Sequence, residues 1–290
     1  MLSLNTNAAA LSAQSSVGST QKSLSTSMTR LSTGYRVNSA MDDAAGLQIA
    51  TRLNAQTRGQ AVAQRNTQNG ISMMQTAEGA FNEVTDMLLR MKDLATEASN
   101  GTASVKDQDA MQLEFDALGQ EISNIMKNTS FGGAKLLDGG SLAATAGVTF
   151  QIGATTAEKM TITLGTDMTA LINGITGATS NYTAATAHAT GTGEINAANA
   201  NATIDKISTA IDAVGKVRAQ LGAAANRLDH VNNNLANMST NTTQARGRIM
   251  DVDYATETAN MTSKQMLMQA GTSMLKQSSS MSQLVMSLMQ

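Results

Sequence analysis

Apolar residues recur every seven positions along the end of the chain, at Leu267, Met274, Met281 and Leu288. Leu284 and Val285 widen this stripe, and Ala270 and Gly271 follow its start by one turn, the pattern of an amphipathic helix. The beginning of the chain repeats the scheme. Leu4, Ala8 and Leu11, then Leu24, Met28, Leu31 and Tyr35, take helical spacing. Neither end carries the charge that a solvated helix face normally shows. From Met261 to Gln290 the only charges are Lys264 and Lys276, and up to Met41 they are Lys22, Arg30 and Arg36. Isolated amphipathic helices are marginal in water, so both ends are expected to be completed by burial against other copies of the chain.

Inside these ends the pattern stays helical. Asp42 and Asp43 precede Ala44, where a helix dipole favours carboxylates. Apolar positions then run through Leu53, Val62, Ile71, Met74, Phe81, Val84, Leu88, Met91, Leu94 and Ala98 until Asn100–Gly101 stops them. A single helix over this stretch would be about 80 Å long. A shorter helix is expected from Ser104 to Met126, with Ser104 and Asp107 as its capping box. Residues 128–140, with two Gly pairs, read as a turn-rich link. The period then drops to two: Val148, Phe150 and Ile152, then Met160, Ile162 and Leu164, predict a hairpin over 148–164. Residues 166–201 are rich in Thr, Ala, Gly and Asn and read as a surface excursion. From Ile204 to Met238 the mean apolar step is about 3.4 residues, close to the ~3.5 of a left-handed coiled coil.

The fold class expected is therefore mainly α: an elongated antiparallel helical bundle or coiled coil formed by both chain ends, with a small β-hairpin region in the middle. Composition agrees. The chain has no Pro, Cys or Trp, four Phe and three Tyr, so its 41% hydrophobic residues are mostly aliphatic and suit long helices with small-residue seams. A net charge of −2, with no basic stripe, argues against nucleic acid as a partner. No long apolar run argues for membrane insertion, and the N-terminus lacks the pattern of a cleaved signal peptide.

Candidate chemistry is sparse. Asp251, Asp253 and Glu257 lack the Gly-containing loop of a calcium site and read as capping or solvated charges. Asp42 and Asp43 point about 100° apart on a helix and read as helix-start charges, not as an acid pair. His188 and His230, the only histidines, do not share a helix with a flanking Glu. No catalytic, cofactor-binding or metal-ligating set is expected, and no enzyme.

The run Arg30–Ala40 (RLSTGYRVNSA), followed by Asp42, Asp43 and Ala44–Leu47, resembles bacterial flagellin. The resemblance continues at 128–137 (NTSFGGAKLL), at 245–249 with 253–257, and at Gln269–Ser273. It implies a filament subunit, exported through the flagellar type III apparatus and polymerised outside the cell. Residues 1–41 with 256–290 would be the inner-core helices. Residues 42–165 with 200–255 would form the rod domain, and 166–199 a short variable surface segment in place of the large outer domains of longer flagellins. The polymerisation stripe would comprise Leu4, Leu11, Leu24, Leu31, Leu267, Met274, Met281 and Leu288. Partners implied are other copies of the chain in a helical homopolymer, sister flagellins, an export chaperone, and cap and hook-associated proteins. The stretch Leu88–Leu94 resembles the contact for the host flagellin-sensing Toll-like receptor, with Arg90, Leu94 and Glu114 at matching positions. Thr176, Thr179, Ser180, Thr183 and Thr186 could carry O-linked sugars, as similar loops do in some flagellins, or could serve solubility alone. The alternative reading is a hook–filament junction protein or a secreted host-interaction protein with flagellin-like ends.

Overall fold

The computed structural model describes residues 7–184 and 188–288, with side chains as far as 280. Leu4 and Thr186, and the side chains of Met281 and Leu288, lie outside the described residues. The described chain is six α-helices with two short hairpins in the middle. It divides into two compact units, one of residues 1–57 with 240–290 and one of residues 58–239. Helices α2 (Ala44–Ala98) and α5 (Ala200–Met250) contribute to both.

The first unit is built on α1 (Ala8–Thr33) and α6 (Tyr254–Leu288). Asn7 caps α1 by accepting the Ala10 N–H at 3.1 Å. Gly34 ends it at φ 74°, a left-handed cap that suits glycine, and its N–H returns to the Arg30 carbonyl. The two helices run antiparallel: Asn7 meets Ser278, Gly271 faces Val17, and Arg30 meets Glu257. Backbone bonds from Arg36 to the Met250 carbonyl and from Val252 to the Gly34 carbonyl lock the exit of α1 onto the link between α5 and α6. Asp43 accepts the Gly46 N–H at 2.8 Å and starts α2, while Asp42 gathers the Asn38 and Ser39 N–H groups. Those two amides, Ser39 foremost, hold the Asp42 carboxyl below its ordinary range. Asp43 thus does the helix-start work expected of it, whereas Asp42 closes the turn that precedes α2, accepting from residues upstream of itself.

The second unit holds the larger core. Phe81, Leu88 and Met91 of α2, Phe115, Ile122 and Met126 of α3 (Val105–Asn128), and Val214 and Val217 of α5 are fully buried together. Helices α2 and α5 run antiparallel here, with Thr67 beside Asn232 and Gly70 against Leu228. Ser104 and Asp107 form the expected capping box at the start of α3. Strands β3 (Val148–Gln151) and β4 (Lys159–Ile162) pair antiparallel, Val148 opposite Ile162. Met160 and Ile162 point into the core, and Thr149 and Thr161 share a hydroxyl bond on the outer face. Gly59 allows this hairpin to reach α2: a Cβ there would lie 2.6 Å from that of Ala154.

Two regions depart from the sequence reading. Residues 128–140 contain a second hairpin, β1 (Ser130–Phe131) with β2 (Ala134–Lys135), whose turn is Gly132–Gly133, both at positive φ. Residues 166–199 are not merely a surface excursion. They open with α4 (Gly165–Ala178), whose Met168, Leu171, Ile175 and Ala178 are fully buried. Tyr182 and Ile195 follow them into the same core. The physical reason is apolar spacing of three, four and three residues, which gives a short helix one apolar face for the core despite the polar, Thr-rich composition.

Candidate assembly interface

Helix α6 presents two different faces. Toward α1 it turns Glu257, Met261, Lys264, Met268, Gly271, Leu275 and Ser278, all buried or half-buried. The seven-residue stripe lies elsewhere: Leu267 is 53% and Met274 66% exposed, with Met266 beside them at 60%. On α1, Leu24 is buried and Leu31 half-buried, whereas Leu11 is 71% and Met28 56% exposed. Among the described stripe residues, those that remain exposed are therefore Leu11, Leu267 and Met274. Leu24 and Leu31 instead hold the two helices of one chain together. Met28, on the helical spacing of α1, and Met266, which stands off the heptad positions so that spacing does not select it, join the outward set. Large apolar side chains left in water at such density mark an interaction surface.

Polar groups flank this pair. Asp253 accepts from the Ala255 N–H and the Thr256 hydroxyl; that hydroxyl bond, foremost, keeps its carboxyl below the ordinary range, as befits a helix-start residue. Arg246 donates to Asn54 Oδ1 at 3.0 Å on the wall of a small pocket of about 170 Å³ that Tyr35 and Met250 also line.

In the second unit, Arg90 and Glu114 form a bidentate pair, Nε to Oε1 at 2.7 Å and Nη2 to Oε2 at 3.1 Å. The hydrogen bond to Glu114 raises Arg90, and the hydrogen bond from Arg90 lowers Glu114. Both side chains are about half exposed, at 53% and 46%. Leu94 is not on that surface: it is 2% exposed, in the core. Leu89 and Leu113 are exposed apolar residues adjacent to the pair in sequence.

The hydroxyl candidates separate in the same way. Thr179 is fully buried, packed where Gly119 of α3 leaves room for it, so it is closed to modification in the folded chain. Thr176 is half-buried, the Ser180 hydroxyl is held by Glu194 at 2.6 Å, and Thr183 is exposed.

His188 closes a network that sequence reasoning missed. Its Nδ1 lies 3.1 Å from Asp116 Oδ2 and its Nε2 3.1 Å from Glu194 Oε2. Gln112 Nε2 donates to both carboxylates, and Gln112 Oε1 accepts the Ile195 N–H. Burial raises Glu194, but the Ser180 hydroxyl and amide and the His188 charge outweigh it, leaving the carboxyl below its ordinary range. Asp116, His188 and Glu194 bring their ligand-type atoms within 4.8 Å of one another. The two imidazole nitrogens face different carboxylates, so the arrangement is a polar clamp fixing the segment after α4 to α3.

Paired terminal helices with an apolar outer face, on a chain built mainly of long helices, define a class of helical structural subunit. Two regions of the chain match the bacterial flagellin N-terminal helical region, over residues 4–141, and C-terminal helical region, over residues 204–289. The chain is 35% identical to Flagellin A of Vibrio anguillarum over 381 aligned positions, covering 100% of each. To polar flagellin C of Vibrio parahaemolyticus it is 34% identical, again covering 100% of each. A putative flagellar hook-associated protein from Vibrio parahaemolyticus shares the fold, with a TM-score of 0.57 over 72% of this chain and 100% of that one at 16% identity. This chain belongs to the bacterial flagellin family and is a structural subunit of the flagellar filament. The first alignment's 381 positions exceed the chain's 290 residues by 91, so that relative carries sequence that this chain lacks. Among the described residues, no helix is long and apolar enough to cross a membrane.

Proposed function

We propose that the filament assembles through the α1–α6 pair, with residues 1–41 and 256–290 as its inner core and residues 42–165 with 200–255 as the rod. One observation carries this reading: Leu11, Met28, Met266, Leu267 and Met274 lie exposed on helices that have almost no charge to solvate them. Stacking copies would bury those side chains, and an apolar side chain buried at a contact contributes about 1.5–3 kcal/mol. Repeated along a filament, that would give a stiff polymer from a chain with no cysteine for cross-linking. The test is seeded polymerisation of a Leu267→Glu, Met274→Glu variant, followed by electron microscopy. It should keep its helix content and fail to elongate seeds; filaments of normal length would overturn the reading.

Export through the flagellar type III apparatus, with a chaperone and with cap and hook-associated proteins as neighbours of the terminal helices, belongs to the same proposal. Deleting the export apparatus should retain the protein inside the cell, and its continued appearance outside would refute that route. A second reading is favoured by the half-exposed Arg90–Glu114 pair, flanked in sequence by the exposed Leu89 and Leu113. This patch would contact the host flagellin-sensing Toll-like receptor, Leu94 acting from the core to hold α2 in place. Arg90→Ala should then reduce signalling in receptor-bearing reporter cells while leaving the melting curve unchanged. Undiminished signalling would remove the patch from consideration.

A further inference from the structure

The chain contains three Asn-Gly dipeptides, Asn69–Gly70, Asn100–Gly101 and Asn173–Gly174. The three asparagines are all exposed, so solvent access does not distinguish them. Their backbones do. Gly70 lies deep in α2 and Gly174 within α4, where the helical ladder engages each N–H with the carbonyl four residues earlier. Gly70 is further enclosed by Leu228 and Phe150. Asn100–Gly101 lies outside any helix, in the turn between α2 and α3.

That turn is arranged for attack by a backbone nitrogen on a side-chain amide. The Asn100 N–H bonds to the Glu97 carbonyl at 3.1 Å, and the Asn100 carbonyl accepts the Ala103 N–H at 3.0 Å. Gly101 therefore occupies the second position of a tight turn, where the N–H has no intra-turn acceptor. The Thr102 N–H points at Asn100 Oδ1 at 3.4 Å, which withdraws electron density from Cγ. A Cβ placed on Gly101 would meet nothing within 4 Å, so the approach is open.

We propose that Asn100 is a site of spontaneous deamidation in the folded subunit, and that Asn69 and Asn173 are protected by their helices. The Gly101 nitrogen, after losing its proton to hydroxide, bonds to Asn100 Cγ. The Cγ–Nδ2 bond breaks and the amide leaves as ammonia, closing a five-membered succinimide. Water then opens the ring on one of two sides. Breaking the bond between Cγ and the Gly101 nitrogen leaves an ordinary aspartate at this position; breaking the bond from the Asn100 backbone carbonyl carbon to that nitrogen leaves isoaspartate, with one extra carbon in the main chain. No oxidant or reductant takes part. Either product adds one negative charge to a chain of net charge −2, in the turn leaving α2 near Glu97, where the dipole disfavours it.

The experiment is peptide mapping by mass spectrometry of the full chain held in mildly alkaline, heavy-oxygen water. Helical dipeptides must open locally before they react, so the Asn100 peptide should convert at least roughly tenfold faster than the other two. It should incorporate a single heavy oxygen and yield both products. Gly101→Ala, which the open space accommodates, should slow conversion while leaving the melting temperature unchanged. In denaturant, all three sites should convert at similar rates. Equal rates at the three sites in the folded chain would overturn the proposal. So would an unreactive Asn100 in the folded chain alongside conversion in denaturant.

Discussion

Gly271 is a point of close approach between α6 and α1. A Cβ added there would stand 2.6 Å from Val17 Cγ2, well inside contact distance. Val17 cannot easily yield, because a β-branched side chain in a helix has one strongly preferred rotamer. Gly271→Ala therefore sets two effects in opposition. The intrinsic helix preference favours Ala by about 1 kcal/mol. Forcing a methyl into a packed seam costs about 1–3 kcal/mol. The single variant should be neutral or destabilised by up to about 2 kcal/mol, the difference between those two ranges. Val17→Ala removes the obstructing methyls, so in that background Gly271→Ala should keep only its propensity gain. The double-mutant cycle should thus give a favourable coupling of about 1–3 kcal/mol. Thermal melting of assembled filaments, followed by far-ultraviolet circular dichroism, reads it. Additivity within about 0.5 kcal/mol would mean that Val17 and Gly271 are not neighbours, and the antiparallel register of α1 on α6 would be wrong.

Other expectations follow from the second unit and from the charged groups. Ile175→Ala should destabilise the folded chain by about 2–5 kcal/mol in thermal or urea unfolding, because α4 is core; a cost under about 0.5 kcal/mol would return that segment to the surface. Ser104→Ala should cost about 1 kcal/mol by removing half of the α3 capping box, measured as a shift in urea midpoint. Asp107 is held low by the Ser104 hydroxyl, Asp167 by Lys216, Glu114 by Arg90 and Asp253 by Thr256. A carboxyl with a depressed folded pKa adds stability above its unfolded value, about 4, and loses it as pH falls through the folded value. Melting temperature should therefore be flat near neutrality and fall below about pH 4; a rise in that range would contradict these pairings.

How much of this was legible in sequence depends on how local each signal was. The ends of α2 and α3 could be read because their signals sit within a few residues: Asp43 before Ala44, Asn100–Gly101 after Ala98, and Ser104 with Asp107. The hairpin at 148–164 announced itself by strict alternation. Helix α4 was obscured because its four core residues are diluted by Thr, Gly and Asn, so composition suggested a loop where periodicity indicated a short buried helix. The assignment of Leu267 and Met274 to one face was legible from spacing. That Leu24 and Leu31 turn inward, toward α6, was not, since either side of a nearly uncharged helix could be buried. Long-range polar pairs were out of reach for a related reason. Arg90 and Glu114 are 24 residues apart and His188 is 72 from Asp116, separations that no period encodes.

Assembly through the terminal helices is the central proposal for this filament subunit. The most direct measurement is a three-dimensional reconstruction of the assembled filament by electron cryomicroscopy, at a resolution that shows side chains. It should show α1 and α6 of neighbouring copies packed together, with Leu11, Leu267 and Met274 buried between them. Filaments in which those three side chains face open solvent, and residues 58–239 alone join the copies, would contradict it.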